Sequence, residues 1–255
     1  MGDEAAKKKP FLTFLKESVL TRVNQNPELI LGDCLEIMED IPDHSIDFIF
    51  TDLPYGTTYA KWDSIIPIEK MWKHYKRIIK PNRAILLFAS QPFTSLLVTS
   101  NLSWFKCEWI WNKKNGTNFA NANHQPLKIH ESLLLFSDGK PFYAPQKTRG
   151  KVNHKQGIST VNFSETRLIK ARVEDDLSGM KFPVSIQEFP KHSSQLGLHP
   201  TQKPLELCEY FIKTYSLENE AVFDSCMGSG TTGVAALNLK RRFLGIENDG
   251  KYFHA

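Results

Sequence analysis

The sequence predicts an α/β fold: a doubly wound, mostly parallel sheet interrupted by an insert at about 140–195. Three observations carry this. Short runs such as S-I-D-F-I-F at 45–50 and A-I-L-L-F-A at 84–89 are apolar almost throughout, as strands buried on both faces are. Segments with helical spacing lie between such runs, the alternation that joins parallel strands by crossover helices. Residues 140–192 break the pattern: they lack long periodicity and are rich in Gly, Ser, Asn and Lys.

Taken in order, F-L-T-F-L-K-E-S-V-L-T-R-V at 11–23 has the spacing of a short amphipathic helix behind a basic tail. Glu28–Leu31 reads as a strand ending at Gly32-Asp33, and Cys34–Asp40 continues at helical spacing. Ser45–Phe50 is a buried strand with Thr51–Gly56 at its carboxyl end. Ile68–Ile79 is helical, closed by Lys80-Pro81-Asn82, and Ala84–Ala89 is a second buried strand. Phe105–Trp111 and Glu131–Phe136 add strands. Past the insert, Leu205–Thr214 reads as helix, Ala221–Asp224 as strand, Thr231–Leu239 as helix and Phe243–Glu247 as strand.

The bulk numbers exclude several classes. With 255 residues, 41% of them hydrophobic and 24% charged, the chain has enough apolar material for one large domain with an insert. No apolar run approaches the roughly 18 residues that span a membrane. M-G-D-E-A-A-K-K-K-P lacks the core of a signal peptide, and Ala6 removes the myristoylation pattern. Cys34, Cys107, Cys208 and Cys226 are scattered without a C-x-x-C pair, which argues against structural zinc and a disulfide scaffold. A reducing cytoplasm is the expected home. Residues 140–192 hold ten Lys/Arg against five Asp/Glu, a surplus larger than the +4 of the whole chain. On charge alone a solvated loop and a phosphate-facing insert fit this stretch equally.

Two motifs carry chemistry. V-F-D-S-C-M-G-S-G-T-T-G at 222–233 is a strand, a glycine-rich turn and a helix start. Glycines there let backbone approach a nucleotide-like ligand, and Glu247, ending the next strand, is placed to accept from ribose hydroxyls. A dinucleotide site uses the same geometry. The second motif, Asp52-Leu53-Pro54-Tyr55, directly follows a buried strand, in the crevice where open α/β sheets bind ligands. Its bland reading is a strand-ending turn. Its chemical reading starts from the amine of adenine or cytosine, a poor nucleophile because its lone pair is delocalised into the ring. The Asp52 carboxylate and the Leu53 carbonyl, fixed by Pro54, could accept its two N–H bonds and free that lone pair for attack on a sulfonium methyl. Tyr55 could stack on the extruded base.

With these motifs in this order, residues from about 28 to 254 resemble the β-class S-adenosylmethionine-dependent amino-methyltransferases of DNA. The resemblance is carried by G-D-C-L-E-I-M at 32–38, T-D-L-P-Y-G-T-T at 51–58, I-K-P-N-R-A-I-L-L-F at 79–88, H-P-T-Q-K-P-L at 199–205, D-S-C-M-G-S-G-T-T-G at 224–233 and L-G-I-E-N-D at 244–249. T-x-A-K-W-D at 58–63 and A-S-Q-P-F at 89–93 resemble a phage and restriction-modification subgroup. The resemblance implies a Rossmann-like methyltransferase sheet. It divides the chain into a tail (1–27), a catalytic half (28–139), a basic target-recognition insert (140–195) and a cofactor half (196–255).

It also implies roles. Asp224, Cys226, Gly228 and Gly230 would line the methionine and ribose part of S-adenosylmethionine, Glu247 the ribose, and Asp33 and Cys34 the cofactor adenine. Thr201 and Lys203 would close the methionine end, Lys203 against the cofactor carboxylate. On the phosphate-facing reading of the basic stretch, Lys147, Arg149 and Lys151 would face DNA. Three positions depart from the family pattern: Leu53 replaces a proline, Cys226 a phenylalanine, and Asn82 a turn glycine, a position where Asn tolerates positive φ.

Trp104, Trp109 and Trp111 read as core aromatics, and Asn112–Asn123 as a polar loop suited to a turn or to DNA contact. His124, His130 and Glu131 lack a fourth ligand at metal spacing, so no metal is expected. The expected partner is DNA in a prokaryotic or phage-infected cell, with a homodimer and a cognate restriction nuclease as further candidates. Asp52 at the head of its motif favours adenine over cytosine. The rivals are a cytosine-N4 enzyme, a non-catalytic DNA-binding module on the same fold, and a dinucleotide oxidoreductase.

Overall fold

The computed structural model describes residues 27–56, 63–150, 161–163, 167–169, 179–190 and 202–254. The helix expected over 11–23, most of the 58–63 motif, and Lys151, His199 and Thr201 lie outside the described residues. The chain divides into two compact units: residues 1–144 with 185–255, and residues 145–184.

The larger unit is built on strands β1 (Glu28–Leu31), β2 (Ile46–Thr51), β3 (Ile79–Ala89), β4 (Phe105–Thr117), β5 (Lys128–Phe136), β10 (Ile186–Glu188), β11 (Ala221–Asp224) and β12 (Arg242–Glu247). They lie in the order β1-β12-β11-β2-β3-β5-β4-β10. Neighbours are parallel except where β5 runs against β3 and β4, so the sheet is mostly parallel as the apolar runs predict.

Its helices are α1 (Cys34–Met38), α2 (Ile68–Ile78), α3 (Phe93–Ser100), α4 (Leu205–Tyr215), α5 (Thr231–Asn238) and α6 (Gly250–Phe253). Alternate residues of one strand face opposite sides, and each side has its own apolar core. Ile49, Ile85, Leu87, Leu134 and Phe223 pack with Met38, Met71, Tyr75 and Leu97, which belong to α1, α2 and α3. Phe48, Phe50, Leu86, Phe88, Leu133 and Val222 pack with Leu207, Phe211 and Ala235, which belong to α4 and α5. Phe50 stacks on Phe48 at 5.5 Å and on Phe88 at 5.2 Å. Truncating so buried a ring costs about 3–5 kcal/mol.

The order of strands positions the site. From β2 the chain steps to β3 on one side, while from β11 it steps to β12 on the other. The carboxyl ends of β2 and β11 therefore flank the point where the winding reverses, the place where open α/β sheets bind ligands. At the opposite ends, buried Asp47 meets Lys80 at 2.6 Å, Arg83 at 3.6 Å and Arg242 at 4.0 Å. Its Oδ2 also accepts the Ala221 N–H at 2.9 Å. This one carboxylate ties together the starts of β2, β3, β11 and β12.

Some bounds differ from the sequence reading. Asn82 does take positive φ, at 56°. It lies inside β3, which begins at Ile79 directly after α2. β4 continues to Thr117, so the first half of Asn112–Asn123 is strand and Phe119–Asn121 is a 3₁₀ turn. In the smaller unit, β6 (Thr148–Arg149) pairs antiparallel with β9 (Met180–Lys181), and β7 (Val161–Phe163) with β8 (Arg167–Ile169). Among the described residues no helix is long and apolar enough to cross a membrane.

Candidate active site

The ends of β2 and β11 are joined through Asp224. The Thr51 hydroxyl donates to Asp224 Oδ1 at 2.6 Å, and the Cys226 N–H donates to the same oxygen at 3.1 Å. Burial dominates the Asp224 carboxyl and pushes it up to about 6, with donors from Thr51, Thr232 and Cys226 pulling the other way. Ser225 shares a 2.6 Å hydrogen bond with the buried Tyr75 hydroxyl of α2. The turn after β11 is thus pinned to the neighbouring strand and to a helix beneath it.

The glycine turn is held from the other side by Glu247. Gly228, at φ 54°, donates its N–H to Glu247 Oε2 at 2.8 Å, and the Asp249 N–H donates to Oε1 at 2.8 Å. The Gly32 N–H donates to the Glu247 main-chain carbonyl at 2.9 Å, which brings the turn after β1 alongside. Asp33 Oδ1 accepts from the Leu35 N–H at 2.7 Å and caps α1. Cys34, the first residue of that helix, shares a hydrogen bond with Cys226, which lowers the Cys34 thiol and raises that of Cys226.

Together these turns enclose a cavity of about 540 Å³. Asp33, Cys34, Asp52, Leu53, Pro54, Tyr55, Lys203, Asp224, Cys226, Gly228 and Glu247 all line it, so both motifs meet in one space. Gly230 does not line it. It sits at φ 78° before α5, with nothing within 4 Å of where a Cβ would be, so its role is backbone conformation. Lys147 and Arg149 lie in the smaller unit; the Lys147 ammonium sits 4.2 Å over the Phe182 ring.

The Asp52–Tyr55 motif carries partners that the sequence did not disclose. The Tyr55 hydroxyl donates to Asp52 Oδ1 at 2.7 Å, and its ring stacks on Phe93 at 5.4 Å. The Lys203 ammonium, set against the cofactor carboxylate in the sequence reading, lies 2.5 Å from Asp52 Oδ2 and 3.4 Å from Glu131 Oε2. Burial pulls Lys203 down, but Asp52 and Glu131 outweigh it and hold the ammonium above its ordinary value. Burial likewise pushes Glu131 up, but Lys203 and Lys113 overcome it and hold the carboxyl at about 2. Glu131, Asp63, Phe88 and Trp111 also line the cavity. Asp63 accepts the Gly56 N–H at 2.8 Å. An acid at the head of the apolar run Glu131–Phe136 is the one signal that could have marked Glu131; its partner 72 positions away was not legible.

A family model described as DNA methylase matches residues 46–255. The chain is 30% identical to the type II methyltransferase M.HinfI of Haemophilus influenzae, covering 93% of this chain and 68% of that protein. The structure is similar to the crystal structure of the M1.HpyAVI–SAM complex, with a TM-score of 0.60 and 25% identity, covering 90% of this chain and 97% of the other. It also shares the fold of the cytosine-N4-specific PvuII DNA methyltransferase, with a TM-score of 0.64 at 15% identity over 89% and 84% of the two chains. A cavity that joins an acceptor motif to a glycine turn, and a family match over most of the chain, lead to one conclusion: the chain belongs to the S-adenosylmethionine-dependent N6/N4 DNA methyltransferases.

Proposed function

We propose that the protein transfers a methyl group from S-adenosylmethionine to the exocyclic amine of adenine in DNA. The observation that carries this is Asp52, an acidic acceptor at the head of the motif, on the wall of the cavity that the glycine turn also lines. The cavity fits such a donor: the Glu247 carboxylate, fixed by two N–H groups, has lone pairs left for ribose hydroxyls. Asp33 and Cys34 would stand near the adenine of the cofactor, and Asp224, Cys226 and Gly228 along its ribose and methionine. When bound, the donor would supply an electrophilic sulfonium methyl, whose C–S bond breaks to give the thioether as the C–N bond forms.

The remaining work falls to the chain. Asp52 and the Leu53 carbonyl accept the two N–H bonds of the target amine and localise its lone pair on nitrogen. The proton lost from the methylated nitrogen passes to the Asp52 carboxylate and on to water. Pro54 fixes the Leu53 carbonyl, and Tyr55, backed by Phe93, offers an aromatic surface to the base. Lys147, Arg149 and Lys151 neutralise phosphates of the DNA. The setting is the cytoplasm of a bacterial or phage-infected cell.

Sequencing with base-modification detection of DNA from cells expressing the protein tests this reading. N6-methyladenine at a fixed sequence is the expected result. N4-methylcytosine would move the target to cytosine, and unmodified DNA would overturn the proposal.

A further inference from the structure

Lys203, its side chain 10% exposed, stands where a cation is a poor fit for the proposed chemistry. Asp52 has to accept from a neutral amine, yet an ammonium already lies 2.5 Å from its Oδ2. Four charges alternate along this wall: Lys113 bonds Glu131 Oε1 at 2.7 Å, Glu131 Oε2 stands 3.4 Å from Lys203, and Lys203 meets Asp52. Glu131 Oε2 is buried and has no hydrogen-bond partner among the described residues. The ammonium also lies 4.8 Å over the Phe88 ring, whose face favours a cation. Lys203 therefore has a second anion to lean on, and Asp52 is not its sole support.

An ammonium has three donors and no acceptor, and a carboxylate accepts about four bonds. Asp52 can keep Lys203 and still take an N–H from the target. In adenine and in cytosine the carbon that bears the amine is also bonded to a ring nitrogen with a free lone pair. Asp52 has two such neighbours, the Tyr55 hydroxyl on Oδ1 and the Lys203 ammonium on Oδ2; a base whose amine reaches the Oδ2 side brings that ring nitrogen beside Lys203, the neighbour with donors to spare.

The geometry points to Lys203 as a second reader of the target ring, donating to the ring nitrogen adjacent to the amine, with Glu131 as the positioning residue that draws the ammonium partly off Asp52. This deepens the methyltransferase reading and rests on it. It explains why the ammonium is bracketed by two carboxylates. A lone Asp52 partner would hold it where the amine must go, whereas Glu131 lets one N–H turn to the ring.

The test begins once the methylated base is known from sequencing; unmodified DNA would fail the methyltransferase reading and leave this one unentered. Duplexes are then made with the target adenine replaced by 1-deazaadenine, in which a C–H stands where the ring nitrogen was. For a cytosine target the analogue is 3-deazacytosine. kcat/KM is measured for the parent, Lys203→Met and Glu131→Gln on both duplexes. Loss of a hydrogen bond to a charged donor predicts a drop of about 10–100-fold for the parent on the analogue. Lys203→Met should be slow on the natural base and discriminate between the duplexes by less than about threefold. Glu131→Gln should lower kcat/KM for DNA by about 10-fold and shrink the discrimination, with S-adenosylmethionine affinity within about twofold of the parent. If Lys203→Met discriminates as strongly as the parent, Lys203 only shapes Asp52 and the proposal fails. Should Lys203→Met not fold, the parent decides alone: equal turnover of both duplexes overturns the proposal, and a 10-fold loss sustains it.

Discussion

Replacing Asp224 by Asn should make the variant increasingly more stable than the parent as pH rises. Asp224 is 2% exposed, and burial lifts its carboxyl from 3.8 to about 6 in spite of three donors. That lift corresponds to about 3 kcal/mol in favour of the protonated acid. Because the folded value lies above the unfolded one, this stabilisation is fully present below pH 3.8 and is lost as pH passes through about 6. Asn carries no charge to desolvate, and its Oδ1 can still accept from the Thr51 hydroxyl and the Cys226 N–H. Urea unfolding of both proteins from about pH 4 to about pH 8 isolates the effect, since other titrations cancel in the difference. The stability gap, variant minus parent, should widen by up to about 3 kcal/mol, mostly below about pH 7, and then level off. A gap that stays constant, or narrows as pH rises, would show that the Asp224 carboxylate is not penalised by its surroundings.

Three further outcomes follow from the site. Asp52→Ala should lower turnover by at least about 10²-fold while calorimetry finds S-adenosylmethionine affinity within about twofold of the parent; near-normal turnover would remove Asp52 from the chemistry. Glu247→Ala should weaken cofactor binding by freeing the Gly228 and Asp249 N–H groups, and Gly230→Val by forcing a branched residue into φ 78°. Unchanged affinity in both would refute the pocket. Alanine at Lys147, Arg149 and Lys151 together should weaken DNA binding and flatten the log–log salt slope by up to about 2.7, with cofactor affinity unchanged. An unaltered slope would make the basic stretch a solvated loop.

The parts of the fold legible in the sequence are those where burial and periodicity agree. β2, β11 and the Ala84–Ala89 part of β3 are buried on both faces and read as apolar runs, and α2 and α4 show their stripes. α3 was not legible. F-T-S-L-L-V-T-S is rich in β-branched and hydroxyl residues, and Leu96 remains 44% exposed, so nothing local separates it from a strand. The far end of β4 was missed for the opposite reason: N-K-K-N-G-T has poor strand propensity and is held by pairing, with Thr117 set against Lys128. The acceptor motif and the glycine turn were visible because each is short and contiguous. The Asp52–Lys203–Glu131 cluster spans three distant segments, and no spacing within any one of them brings it together.

The bonding of Glu247 decides when its side chain loses its conformational freedom. Both carboxylate oxygens already carry a main-chain donor, so the rotamer is set before any ligand arrives. A free glutamate side chain gives up on the order of 1.5–2 kcal/mol of rotamer freedom when it is ordered. Here that loss falls in folding and is not charged against binding. Asp52 differs, because its donors are side chains, the Tyr55 hydroxyl and the Lys203 ammonium, and not main-chain N–H groups. One wall of the cavity is a fixed mould and the other an adjustable jaw, so a rigid cofactor analogue should tolerate far less change of shape than a modified base.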